Sequence, residues 1–186
     1  MNKHAFVRWA GLGMTAAALV LAGCRKGERT APTAEAPLAR ATAPPAAPTT
    51  PPLVTETVAV EGQNVTFRHS AFDQGRIQDL FDSDPDTLAR TTNANPAILE
   101  LTFSEPRPLK AVELTTGSMD MDLTCVVQVA GDGAKTFTKE LRNLKPDATV
   151  RVDFPGLTGR AEKLSIEIKS PTVPDGHIHL RTLRLR

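Results

Sequence analysis

Arg90, Thr91, Thr92, Asn93 and Asn95 place five hydrogen-bonding side chains within six positions, the most polar uncommitted stretch of the chain. Guanidinium, hydroxyl and carboxamide groups supply donors and acceptors that suit the hydroxyls of a glycan or the backbone of a peptide. Without such a ligand the same stretch is a solvated connection. Just before it, Asp82, Asp84 and Asp86 alternate with Ser83 and Pro85 and are followed by Thr87. An EF-hand loop would need glycine at its sixth position and glutamate at its twelfth, where this chain has Thr87 and Asn93. By spacing alone the run reads as Asx-type turns with carboxylates in solvent. His177 and His179 lie two apart on an expected strand, so both rings point to one face, with Asp175 close in sequence. A metal site needs a third or fourth ligand, and the pair reads as an exposed strand face. Gly131-Asp132-Gly133-Ala134-Lys135-Thr136 ends like a phosphate loop but lacks the first glycine and lies between strands, so a hairpin is expected. No nucleophile elbow, zincin or Cys-His arrangement occurs, and no carboxylate pair is marked by a surrounding motif. A non-enzymatic domain is expected.

The elements that position these residues are strands. From Leu53 onward apolar and polar residues alternate with period two, the pattern of strands with one buried face. Leu99, Leu101 and Phe103 form one inward row, Val112 and Leu114 a second, and Leu123, Cys125, Val127 and Val129 a third. Phe137 and Leu141 belong to a shorter strand, joined to the third through the Asp132-Gly133 turn. Val150, Val152 and Phe154, then Leu164, Ile166 and Ile168, continue the pattern. In the last strand Ile178 and Leu180 share one phase and Leu183 and Leu185 the other, which predicts a bulge near Arg181-Thr182. Weaker strands are expected at Thr57 to Val60 and Val65 to Phe67, and Arg76 to Phe81 reads as a short helix or strand. The fold class is all-β, an antiparallel β-sandwich.

Ahead of the sandwich, Lys3 and Arg8 precede an Ala/Leu/Gly-rich apolar stretch from Trp9 to Leu21, too short to span a bilayer. It closes on Leu21-Ala22-Gly23-Cys24, which resembles the lipobox of bacterial lipoproteins. That resemblance implies a signal peptide over 1–23, lipid on Cys24, and attachment by several acyl chains, which is effectively stable where one chain is marginal. Residues 24–53 are dominated by Ala, Pro and Thr without apolar periodicity. Such a segment cannot bury a core and reads as a disordered tether, whose 28 positions after Cys24 reach at most roughly 85 Å. Cys125 is then left without a disulfide partner and is expected to be a buried, inert thiol. From Val54 on there are 16 basic and 19 acidic side chains, no footprint for nucleic acid. Trp9 is the only tryptophan and there is no tyrosine.

The segments Leu80 to Thr87, Asn95 to Phe103 and Arg107 to Leu114, in that order, resemble the discoidin, or coagulation-factor type C, family, and His177 to Leu185 resembles its closing strand. The resemblance covers 54–186 and implies a galactose-binding-like jelly roll. It also implies a structural calcium, not required for folding, with Asp82, Asp84, Asp86 and Thr87 as candidate ligands; the family often adds an acid from the closing strand, where this chain has Arg181-Thr182. Many relatives bind sugars at loops on one end with an aromatic platform, which is largely missing here. The expected function is a membrane-anchored envelope lipoprotein, in the outer rather than the inner membrane, whose sandwich binds a glycan or a partner protein through Arg90, Asn93 and Asn95. The alternative is a structural accessory subunit of an envelope complex, without a small-ligand site.

Overall fold

The computed structural model describes residues 52–117, 120–172 and 176–186; the lipobox, Cys24, the tether to position 51 and Asp175 lie outside them. The described chain forms two antiparallel sheets. The first contains β1 (Leu53–Val60), β2 (Gln63–Ser70), β5 (Ala97–Arg107), β10 (Ala161–Lys169), β7 (Met121–Val129) and β8 (Gly133–Leu141), in that spatial order. The second runs β3 (Phe72–Gln74), β4 (Ala89–Thr91), β11 (His179–Leu185), β6 (Ala111–Thr116) and β9 (Ala148–Asp153). A 3-10 turn, Ile77–Leu80, links β3 to the acid-rich loop.

The alternation seen in sequence is the alternation of burial. Along β7 every second residue from Met121 to Val129 is buried, and β10 interleaves Leu164, Ile166 and Ile168 between exposed or half-exposed neighbours. The inward rows of the two sheets form one core, stabilised by about 25 cal/mol for each Å² of apolar surface removed from water. Cys125 lies in that core, fully buried, and burial pushes its thiol up to about 12. It stays protonated and unreactive, since the thiolate is the nucleophile.

The hairpin expected at Gly131–Gly133 joins β7 to β8, with both glycines at positive φ and Val129 paired to Gly133. The bulge expected near Arg181-Thr182 is present as a register shift between Leu180 and Thr182 against β6. Other expectations are corrected. The two weak strands are full eight-residue strands paired throughout, because Glu61 and Gly62, both at positive φ, close a tight turn. The strand carrying Phe137 and Leu141 is as long as β7; it looked short because an edge strand buries only where it faces the other sheet. β3 and β4, of three residues each, were not anticipated.

Candidate functional site

The two short strands exist to bring distant polar residues together. β3 pairs with β4 so that Gln74 faces Arg90, and β4 pairs with β11 so that Arg90 faces His179. Arg90 therefore lies between Asp73 on one side and the histidine strand on the other. Its Nε donates to Asp73 Oδ1 at 2.8 Å and one terminal nitrogen donates to Oδ2 at 3.0 Å. This fork is the geometry in which guanidinium and carboxylate match best. The hydrogen bond from Arg90 holds the Asp73 carboxyl below its ordinary value, and Asp73 in turn raises Arg90.

His177 approaches from the chain leading into β11. Its Nδ1 donates to the Thr91 carbonyl at 2.6 Å and lies 3.7 Å from Asp73 Oδ2. A carbonyl only accepts, so that bond places a proton on Nδ1. Thr91, itself buried, accepts at its hydroxyl from the Ile178 amide at 2.9 Å, which locks the entry to β11. His179 sits under Gly117, where an added Cβ would come within 2.9 Å of the His179 Cβ. Burial first, and then the charges of Arg90 and His177, push His179 below its ordinary value. Its imidazole is neutral at pH 7. The result is a half-buried group of one guanidinium, one carboxylate and two imidazoles, offering donors and acceptors to a polyhydroxylated ligand.

Sequence singled out Arg90, Asn93 and Asn95, and the structure separates them. Arg90 belongs to this cluster. Asn93 is exposed on a turn at φ +44. Asn95 braces the fold: its Nδ2 donates to the Ser170 carbonyl at 2.8 Å and its Oδ1 accepts from the Ser170 amide at 2.9 Å. The histidines expected on an exposed face are half-buried beside Arg90, because β4 covers that edge of β11. Asp73 was missed, and no spacing in the sequence marks it. Phe72, its neighbour, is no platform: it stacks on the buried His69 at 4.6 Å.

In the acid-rich loop, Asp82 Oδ1 accepts from the Asp84 amide and Asp84 Oδ1 from the Asp86 amide, each at 2.9 Å. These are the Asx turns that spacing predicted. The Thr87 hydroxyl has three oxygens within 3.2 Å: the Asp79 and Asp84 carbonyls and Asp82 Oδ1. Calcium takes six to eight oxygens, whereas only one carboxylate joins this group. Among the described residues no three His, Cys, Asp or Glu side chains are grouped to hold a metal. The donor set does not fit a full calcium cage.

No family model matches the chain, and no curated protein does. Solved structures do resemble it. A family 32 carbohydrate-binding module of C. perfringens NanJ, solved with galactose, shares 12% identity over 71% of this chain and 98% of that one, with TM-score 0.52. An F5/8 type C domain from Bacteroides fragilis shares 15% identity over 70% and 95%, with TM-score 0.54. A family 32 module of AlyQ, solved with 4,5-unsaturated mannuronic acid, shares 9% over 70% and 98%, with TM-score 0.51. The sandwich thus has the jelly-roll fold of these domains.

Proposed function

We propose that this domain is a non-catalytic glycan-binding module, held at the bacterial envelope by lipid on Cys24 through the segment 24–53. The observation that carries the binding reading is the Asp73–Arg90–His177–His179 cluster, built on the loops and short strands at one edge of the second sheet. Its support from kinship is that two similar modules were solved with sugars in place. Arg90 spends Nε and one terminal nitrogen on Asp73, which orients the other terminal nitrogen for a sugar hydroxyl. The imidazole of His179, held neutral by burial, adds an acceptor. With no aromatic platform, affinity rests on these charge-assisted bonds. The accessory-subunit reading would need an exposed apolar patch, and among the described residues Val54 is the one large hydrophobic side chain found exposed.

Calorimetric titration of the detergent-solubilised chain with galactose and with unsaturated mannuronate is the direct test. Arg90→Ala is expected to weaken binding by about 10- to 100-fold, since hydrogen bonds to a charged group contribute about 1.5–3 kcal/mol. No heat with either sugar at millimolar concentration, or equal affinity in the variant, would refute the reading.

Anchoring has its own expected outcome. Cys24→Ser, which removes the sulfur that takes the lipid, should leave unprocessed chain and abolish the membrane-bound mature form on fractionation. Mature protein persisting in the membrane pellet would rule out lipid on this residue.

A further inference from the structure

Where the resemblance implies a metal ion, the closing strand delivers a cation of its own. The bulge between Leu180 and Thr182 puts two successive residues, Arg181 and Thr182, on the outer side of the sheet, while Leu180 and Leu183 stay buried. A bulge re-aims side chains in this way. Arg181 uses the new direction to reach two loops. Its Nη1 donates to the Pro85 carbonyl, inside the acid-rich loop, at 3.0 Å, and its Nε donates to Asp147 Oδ1 at 2.5 Å. Asp147 lies in the connection between β8 and β9, at φ +58. The side chain is only 26% exposed and lines a groove of ≈ 510 Å³ with Ser83, Pro85 and Asp86. Thr182 is committed elsewhere, donating to the Thr115 hydroxyl at 2.8 Å.

Asp82, Asp84 and Asp86 place three carboxylates in five positions, and the first two accept from amides within the loop itself. We propose that Arg181 is a tethered donor that pins this loop through the Pro85 carbonyl, so that the domain is organised without calcium. A dissolved ion stabilises a fold by an amount set by its concentration over Kd. A guanidinium on the closing strand is present at fixed occupancy, and it holds the loop by the Pro85 carbonyl. The disagreement with the calcium cage follows: the strand position that would complete a cage with an acid carries the opposite sign.

The test is thermal melting of the full-length chain in detergent, in chelator and in millimolar calcium, with amide exchange read at residues 82–87. The wild type is expected to melt at the same temperature in both buffers. Arg181→Gln should lower the midpoint by about 2–4 °C and speed exchange in the loop, whereas Asp147→Asn should leave loop exchange unchanged. Arg181→Glu, which exchanges the cation for a carboxylate, should gain a calcium-dependent rise in midpoint that Arg181→Gln lacks. Three results would overturn the proposal: a wild-type midpoint several degrees higher in calcium, loop exchange accelerated equally by Asp147→Asn and Arg181→Gln, or no greater calcium response in Arg181→Glu than in wild type.

Discussion

Phe67→Ala is expected to destabilise the domain by about 3–5 kcal/mol, the range for deleting a buried aromatic ring. Phe67 is fully buried on β2, a strand hydrogen-bonded on both sides, to β1 and β5. Its ring lies 5.4 Å from that of Phe81, the residue that ends the 3-10 turn. Truncation removes transfer free energy and leaves a void that paired strands cannot close. It also takes away the surface against which Phe81 fixes the start of the acid-rich loop. Urea unfolding followed by far-ultraviolet circular dichroism measures the loss, with Phe67→Leu as control at about 1 kcal/mol. A cost for alanine no greater than for leucine would show that the site collapses and that Phe67 is no keystone of the sandwich.

Gly75→Ala is expected to cost about 3 kcal/mol, although Gly75 is exposed and looks replaceable. Its φ is +73, a region that L-residues enter with strain, and a Cβ there would sit 2.0 Å from the Leu88 carbonyl oxygen. Backbone, not a flexible side chain, stands in the way. The chain must shift where β3 lies against β4, and that ladder is what brings the Asp73 carboxylate within reach of Arg90. Gly62 gives the comparison: its φ is +79 with nothing within 4 Å of a Cβ, so Gly62→Ala should show backbone strain alone, about 1 kcal/mol. Equal costs for the two substitutions, measured by urea unfolding, would mean that the clash with Leu88 is relieved without loss. A further consequence is expected in sugar titrations, where Gly75→Ala should weaken binding even under conditions where it remains folded.

Period two was enough to find the interior. The row Leu123, Cys125, Val127 and Val129 is legible because the strand has one buried face and so writes its orientation into composition. The bulge at Arg181-Thr182 was legible for the same reason, as a break in phase. β3 and β4 were not, because three residues cannot display a period. The cluster was half-visible as a result. Arg90 stood out by polarity, but Asp73 is 17 positions away and meets it only through a ladder that leaves no pattern. Asn95 misled in the opposite direction. A carboxamide next to a proline in a polar loop gives no sign that it will bond both to the Ser170 carbonyl and to the Ser170 amide, 75 positions away. Polarity marks what a side chain can do, and partners across the fold decide what it does.

The order in which the strands are laid down in sequence differs from the order in which they lie in space, and this governs when the molecule can exist at all. β10 holds β5 and β7 together at the middle of the first sheet, and β11 holds β4 and β6 together at the middle of the second. Among the described residues these are the last two strands. Until both have been made, each sheet is a pair of separate fragments with open edges, β1-β2-β5 and β7-β8 in one, β3-β4 and β6-β9 in the other. Such fragments expose apolar faces and unpaired backbone. A chain that emerges N-terminus first therefore cannot complete either sheet until β10 and β11 have been made.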